Sequence, residues 1–224
     1  MMNKWEKGGV RMKLGVIAGT TTDTMLGVQY VRSQGIEAVS RPCSEDPAEQ
    51  LYMQLHQKKE LADRVVSLSK DMIGEGAEAI YVYCNSLSTA IDLDSVRERI
   101  GVRVVTPLDV YEECATKHSH IFAITANAQC LSGIEKIIKD RNPDCLFSGA
   151  CLQTLVYQIE YLLPPKQIAD DLEMPEFLRI FTNMGADVLI LGCTHFPYIY
   201  EEVAHAIRVP IIDPAKRMLE LLGL

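Results

Sequence analysis

The sequence predicts an α/β protein of two similar lobes, each with a parallel sheet flanked by helices. Short apolar runs alternate with helical patterns along most of the 224 residues, and such alternation is typical of a parallel sheet. Two of the apolar runs share one layout, because Gly76-Ala77, an acidic residue and Cys84 recur as Gly185-Ala186, an acidic residue and Cys193 at the same offsets. That recurrence indicates an internal repeat.

Composition argues against several classes of function. The net charge of −8 and the absence of a long basic stretch argue against nucleic acid as a partner. No apolar run approaches the roughly 20 residues that span a bilayer, and the basic start is too short and too poorly flanked for a secretory signal. We therefore predict a cytoplasmic protein that does not act at a membrane.

Cysteine usage points in the same direction. Seven cysteines are an odd number in a chain with no evident export signal, which argues for reduced thiols. None of them forms a Cys-x-x-Cys pair, so we predict no metal site.

The first half of the chain reads as alternating strands and helices after a predicted N-terminal extension at residues 1–12. The polar run that ends at Asp23 suits the cap of a helix. Residues 47–74 carry apolar residues at helical spacing, including Leu51 and Leu55, with a break near 57–59. The predicted elements are a strand at 14–19, a helix at 24–34, a strand at 36–41, two helices within 47–74, the strand before Cys84, a helix within 87–100 and a strand at 102–105.

The second half repeats this scheme, and its first strand also ends on a threonine, Thr125, as the first strand of the chain leads to Thr20. The predicted elements are a strand at 121–125, a helix at 128–140, a strand at 145–148, helices within 151–163 and 167–184, the strand before Cys193, and a final strand and helix within 209–224.

The two repeated cysteines are the candidate catalytic residues. Ligands of open α/β sheets bind outside the carboxyl ends of the strands, so two similar lobes can present Cys84 and Cys193 to one cleft. A thiol on each side of a carbon atom can remove a proton from one face and return a proton to the other, which is racemisation without a cofactor. We expect a helix beginning after each cysteine to lower the pKa of its thiol.

The residues around both cysteines resemble a known family. Cys84-Asn85-Ser86 and Gly192-Cys193-Thr194-His195-Phe196-Pro197 are similar to the two motifs of the aspartate/glutamate racemase superfamily, which are Cys-Asn-Thr/Ser and Gly-Cys-Thr-His/Glu-x-Pro. The resemblance implies two pseudo-symmetric, flavodoxin-like lobes with the active site in the cleft between them. It also implies an amino-acid racemase that uses no pyridoxal phosphate, with proton transfer between Cys84 and Cys193.

Other expectations follow from the same resemblance. The tail is expected to pack back on the first lobe, which then comprises residues 13–106 plus 210–224, with 107–209 as the second lobe. A homodimer is expected because family members are commonly dimers. His195 resembles the histidine that assists the second cysteine in glutamate racemases.

The substrate is predicted to be a small acidic amino acid. Glutamate racemases carry an Asp-Ser pair after the first strand, whereas this chain has Ala18-Gly19, and that loop and the short length look more like aspartate racemases. His195 favours glutamate instead, so we place aspartate before glutamate. The alternatives are a hydantoin racemase or a maleate isomerase on the same scaffold, and a non-catalytic amino-acid-binding sensor.

Further candidates for substrate binding stand at the predicted strand ends. Arg41 ends the second strand and is a candidate for the side-chain carboxylate of the substrate. Thr20, Thr21 and Thr125 lie at strand ends that face the same cleft and are candidates for binding the substrate carboxylates. Asn85, Ser86 and Thr194 add short donors beside the cysteines, where backbone amides could bind the α-carboxylate. The remaining cysteines are predicted to be small buried hydrophobes, namely Cys43, Cys114, Cys130, Cys145 and Cys151.

Overall fold

The computed structural model describes residues 12–224, so the predicted N-terminal extension lies outside the described residues except for Met12. Within that range the strands are β1 (Lys13–Ala18), β2 (Glu37–Pro42), β3 (Ala79–Val82), β4 (Arg103–Val105), β5 (His120–Thr125), β6 (Leu146–Cys151), β7 (Val188–Gly192) and β8 (Ile211–Ile212). The helices are α1 (Thr21–Ser33), α2 (Pro47–His56), α3 (Lys58–Gly74), α4 (Asn85–Ala90), α5 (Leu93–Ile100), α6 (Pro107–Ala115), α7 (Ala128–Arg141), α8 (Gln153–Glu160), α9 (Pro165–Asp171), α10 (Met174–Asn183), a 3-10 helix (Phe196–Ile199), α11 (Tyr200–Ala206) and α12 (Pro214–Leu222).

The strands form two four-stranded sheets with the same topology. One sheet has the order β2-β1-β3-β4 and the other the order β6-β5-β7-β8, and every pairing is parallel. The predicted α/β architecture of two similar lobes is therefore confirmed.

The sequence repeat has a structural cause. Gly76 and Gly185 adopt the left-handed conformation, with φ of 95° and 88°, which a residue with a side chain rarely adopts. The acidic residue that follows accepts a hydrogen bond from the first backbone N–H of the neighbouring central strand: Glu78 from Lys13 at 3.2 Å, and Asp187 from His120 at 3.2 Å. Each copy of the repeat thus aligns two neighbouring central strands, and the second strand of each pair, β3 or β7, ends near a cysteine.

A hydrophobic core shared by the two lobes lies beneath the cleft. Tyr81 of β3 and Ile121 of β5 are fully buried in the same cluster, and α4 and α6 of the first half of the chain pack against α7 of the second. The carboxyl ends of both sets of strands are therefore held in one compact unit.

The end of the chain divides between the two lobes. β8 pairs with β7, with Leu189 opposite Ile211, so the assignment of residues 210–224 to the first lobe is wrong for this strand. By contrast, α12 packs against β4 of the first lobe as well as against α6, and the hydroxyl of Tyr81 in β3 donates to the Ala215 carbonyl at 2.9 Å. The rest of the predicted division into lobes stays a prediction.

Several helices differ from expectation. The predicted division between the lobes falls between Thr106 and Pro107, and the predicted elements include no helix there. Proline fits the first turn of a helix, and Thr106 and Asp109 form a capping box that begins α6. The helix predicted at 167–184 is two helices, α9 and α10, because Glu173 takes a φ of 46° between them. No helix within residues 12–224 is both long and apolar enough to cross a membrane.

Candidate active site

The two repeated cysteines line one cleft between the sheets. Cys84 stands two residues after β3 and caps α4, and Cys193 directly follows β7. The cleft between them is partly open to solvent. Side chains from both halves of the chain complete its lining, chiefly Asp23, Gln50, Gln54, Asn85, Ser86, Asn127, Gln153, Thr194 and His195.

Cys193 has a buried histidine as its partner. The His195 Nδ1 atom lies 3.6 Å from the Cys193 Sγ atom. On the other side of the ring, Nε2 lies 2.7 Å from Glu160 Oε1, and that oxygen also accepts a hydrogen bond of 2.5 Å from the Thr20 hydroxyl. A continuous polar chain therefore runs from Cys193 to a residue of the first lobe.

The charges around His195 favour its protonated form. Burial alone would lower the pKa of His195, but the neighbouring Asp23, Cys193 and Glu160 outweigh burial and raise that pKa well above 6.5. Burial likewise acts to raise the pKa of Glu160, but hydrogen bonds from His195 and Thr20 lower it below its ordinary value. The resulting imidazolium can stabilise a thiolate at Cys193.

Cys84 has neutral partners instead. The Gln50 amide donates from Nε2 to the Cys84 Sγ atom at 3.1 Å, and the Ser86 hydroxyl lies 3.6 Å from the same sulfur. Gln54 donates to that hydroxyl at 2.9 Å. These contacts come from α2 and α4 of the first lobe.

The expectation that a following helix lowers the thiol pKa is wrong for Cys84. Burial and the charge of Asp23 raise the pKa of Cys84, although a hydrogen bond from the Leu87 backbone acts in the opposite direction. The helix after Cys84 has only six residues, and desolvation of the buried sulfur is the stronger effect. After Cys193 the next helical residues form a 3-10 helix that begins at Phe196.

A buried carboxylate lies between the two thiol environments. Asp23 was predicted only as a helix cap, but it is 1% exposed and lines the cleft. Its Oδ2 atom accepts hydrogen bonds from the Thr194 hydroxyl at 3.1 Å and the Gly19 N–H at 3.3 Å. Its buried Oδ1 atom has no hydrogen-bond partner among the described residues. Burial raises the pKa of Asp23.

Asn85 presents a second unpartnered group to the cleft. Its Oδ1 atom accepts a hydrogen bond of 2.5 Å from the Tyr111 hydroxyl, which fixes the amide. Its buried Nδ2 atom has no partner among the described residues. Two residues of the cleft lining, Asp23 and Asn85, therefore each carry a buried polar atom without a hydrogen-bond partner among the described residues.

Four predicted binding residues are not part of the cleft lining within the described chain. Thr20 bonds Glu160, and Thr125 donates to the Asn127 carbonyl at 3.1 Å. Thr21 is exposed on the first turn of α1. Arg41 forms an ion pair with Glu75. A role of these residues in substrate binding stays a prediction.

The other five cysteines are free thiols. Burial is confirmed for Cys43, Cys114, Cys130 and Cys145, but Cys151 is exposed at the end of β6, so its predicted burial is wrong. β6 is an edge strand, and an edge strand is covered by fewer neighbours than a central one.

Curated relatives and solved structures agree with this architecture. The chain is 26% identical over 163 residues to a glutamate racemase of Limosilactobacillus reuteri, covering 70% of this chain and 60% of that protein. It is 30% identical over 164 residues to a glutamate racemase of Shewanella loihica, with the same coverage of 70% and 60%.

The fold matches solved structures over 95% of this chain. A glutamate racemase of Francisella tularensis in complex with D-glutamate matches with a TM-score of 0.72 at 18% identity, over 80% of that chain. An aspartate racemase homologue from Pyrococcus horikoshii matches with a TM-score of 0.61 at 16% identity, over 99% of that chain. The chain is thus similar in sequence to glutamate racemases, and it shares its fold with solved structures of a glutamate racemase and of an aspartate racemase homologue.

The chain spans 60% of the length of the two curated relatives named above. No protein-family model matches it. Its likeness to the solved structures, at 18% and 16% identity, is a likeness of fold.

Several residues that line the cleft are not among the predicted site residues, namely Asp23, Gln50, Gln54, Asn127 and Gln153, and neither is Glu160, which contacts His195. Asp23 fits the pattern of a helix cap, so its local sequence does not indicate a place in the active site. Gln50 and Gln54 carried a usable signal, because two amides four residues apart share one face of a helix. Glu160 has no local motif and reaches His195 only through the fold.

Proposed function

We propose that the protein racemises an acidic amino acid without a cofactor, by two-base proton transfer between Cys84 and Cys193. The observation that carries this proposal is that the two thiols come from equivalent strand ends of two lobes and line one cleft. Each thiol can then approach the α-carbon of a substrate from a different lobe.

The reaction begins with one thiolate and one thiol. A Cys193 thiolate beside the His195 imidazolium removes the α-proton of one enantiomer and becomes a thiol, and the Cys84 thiol then donates its proton to the other face of the α-carbon. The opposite enantiomer reacts by the reverse steps, with Cys84 as the base. Burial raises the pKa of Cys84, so the free enzyme is expected to hold Cys84 as the thiol.

The unpartnered groups of the cleft support an α-amino acid as the substrate. The Asp23 Oδ1 atom lies 3.7 Å from the His195 Nδ1 atom but has no hydrogen-bond partner among the described residues, and it can accept a hydrogen bond from the α-ammonium group. The Asn85 Nδ2 atom can donate to the α-carboxylate as it takes on enediolate charge. Hydantoins and maleate carry no ammonium group, so Asp23 favours an amino acid over those alternatives.

The choice between aspartate and glutamate is the finer part of the proposal. The loop at Ala18-Gly19 favours aspartate, and we propose aspartate first. The curated relatives reported above are glutamate racemases, so glutamate is the second candidate. Amides of Gln54, Asn127 and Gln153 line the cleft and could bind the side-chain carboxylate of either substrate.

A proton NMR time course in heavy water with each enantiomer of aspartate and glutamate, followed by chiral analysis, tests the proposal. We expect deuterium at the α-carbon with inversion in the wild type, and loss of inversion in Cys84→Ser and Cys193→Ser. Cys151→Ser is the matched control, because Cys151 is exposed and outside the cleft lining, and it should retain activity. Absence of exchange with all four compounds would overturn the assignment to acidic amino acids.

A homodimer, which the family resemblance implies, belongs to the same proposal. Light scattering of the purified chain should give twice the monomer mass of 25.0 kDa. A mass equal to the monomer would remove the dimer from the proposal without affecting the chemistry.

A further inference from the structure

The Cys84 sulfur receives its shortest side-chain hydrogen bond from α2. The Gln50 Nε2 atom lies 3.1 Å from Cys84 Sγ, and the Gln50 side chain is almost fully buried. The same nitrogen lies 3.5 Å from the Ser86 hydroxyl, so the amide spans the cysteine and its neighbour. A buried amide that donates to sulfur stabilises the charged form of the sulfur more than its neutral form.

Gln50 reaches Cys84 through space that exists because residue 19 is a glycine. A Cβ atom on Gly19 would lie 1.9 Å from Gln50 Nε2 and 2.2 Å from its Cδ atom. The backbone of Gly19 is held in place, because its carbonyl accepts hydrogen bonds of 2.8 Å from the Ser44 N–H and 2.6 Å from the Ser44 hydroxyl. Any side chain at position 19 would therefore displace the amide from the sulfur.

We propose that Gln50 is a positioning residue for Cys84, which holds the sulfur in the cleft and stabilises its thiolate when Cys84 acts as the base. Gly19 is required for this contact, because the absence of a side chain at position 19 leaves room for the Gln50 amide. The role as base rests on the proposed racemisation, whereas the effect on the thiol does not depend on it. Cys84 thereby obtains from a neutral amide part of what Cys193 obtains from His195.

The test is the pH dependence of alkylation of Cys84 and Cys193 by iodoacetamide, measured by mass spectrometry of the two peptides. Access to the buried sulfur changes the maximum rate, whereas stabilisation of the thiolate changes the pH at which the rate is half-maximal. We expect Gln50→Leu to raise that midpoint for Cys84 by about one pH unit, a tenfold loss of thiolate well below the midpoint. The midpoint for Cys193 in the same sample should not move.

A second variant reaches the same sulfur from another position. Gly19→Ala should displace the end of the Gln50 side chain and raise the Cys84 midpoint, although Gln50 is still present. The double variant should show no more than the larger single shift, because both changes break one contact. Gln50→Asn keeps an amide that is one methylene too short and should behave like Gln50→Leu, so the test survives if the leucine variant does not fold.

An unchanged Cys84 midpoint in folded Gln50→Leu or Gln50→Asn would overturn the inference, and so would independent, additive shifts in the double variant. Because alkylation requires no turnover, this result is separable from the proposed function. A shifted midpoint in a protein that exchanges no amino acid would contradict the racemisation and leave the Gln50 inference standing.

Discussion

The environments of Cys84 and Cys193 differ in charge although the backbone delivers both thiols in the same way. Each thiol follows the third strand of a sheet with the same topology. Cys193 faces a histidine that is bonded to Glu160, whereas Cys84 faces an amide and a hydroxyl. The symmetry of the fold therefore places the two sulfur atoms, whereas the side chains around them are not equivalent.

Removal of either thiol should reduce catalysis to the same extent, although the two thiols have different surroundings. We expect Cys84→Ala and Cys193→Ala each to lose about 10³-fold or more in racemisation of both enantiomers, because each direction needs one base and one acid. Chiral chromatography of the products measures this loss. A variant that still inverts one enantiomer at the wild-type rate would show that only one thiol is needed.

Replacement of His195 should affect one thiol only. In His195→Asn we expect racemisation to fall by about 10²-fold, because the charge beside Cys193 is lost. Alkylation of Cys193 at neutral pH should slow in this variant, and the pH midpoint of Cys84 should stay within experimental error. Equal changes at both cysteines would contradict the division of partners described above.

Replacement of Asp23 should alter substrate binding and Cys84 together. Asp23→Asn should raise KM for the amino acid by about tenfold or more, since a charge-assisted hydrogen bond to the ammonium group is lost. The charge of Asp23 helps to raise the pKa of Cys84, so the Cys84 alkylation midpoint should move to lower pH. An unchanged KM would remove Asp23 from the proposed ammonium site.

The Glu160 to His195 contact should make stability depend on pH. Folding lowers the pKa of Glu160, so its contribution is complete above 4.5 and is lost as the pH falls through the folded value. Folding raises the pKa of His195, so its contribution is complete below 6.5 and is lost as the pH rises through the folded value. The difference in Tm between wild type and Glu160→Gln should therefore be largest between pH 4.5 and pH 6.5.

The magnitude of this effect is expected to be modest, about 1 to 3 kcal/mol of unfolding free energy. Glu176→Gln is the matched control, because that carboxylate is mostly exposed and its ion pair with Arg179 spans 3.8 Å. A Tm difference for Glu160→Gln that does not vary with pH would show that the ionised pair is not what stabilises the fold here.

Much of the fold could be predicted because the repeat encodes backbone requirements. Glycine at the left-handed turns and the acids Glu78 and Asp187 at the strand starts are needed wherever this pattern builds a sheet. The break between α2 and α3 near residue 57 was predicted and is confirmed. The helix at Pro107 was missed, since proline marks a boundary in sequence and begins a helix in the structure.

The surroundings of the thiols could be predicted only in part. The motif of Cys193 contains His195, whereas Gln50 is 34 residues from Cys84 and Glu160 is 35 residues from His195. Helical spacing in α2 favoured Leu51 and Leu55 as buried, yet Leu55 is 48% exposed and Gln54 is buried. A helix that packs against a polar cleft buries its amide side chains. The expectation that the apolar face of a helix is the buried one therefore predicts the wrong face of α2.

The last helix of each half of the chain crosses to the other half. After β4 the chain continues into α6, which packs against α7, and after β8 it continues into α12, which packs against β4 and α6. Both helices begin with a proline behind a capping residue, Thr106 or Asp213. In this respect the protein resembles a domain-swapped dimer within one chain, because a helix from each half packs against the other half. A chain cut between α6 and β5 would separate α6 from α7 and α12 from β4 and α6, and neither half would keep its complete core. The two lobes should therefore unfold in a single cooperative transition.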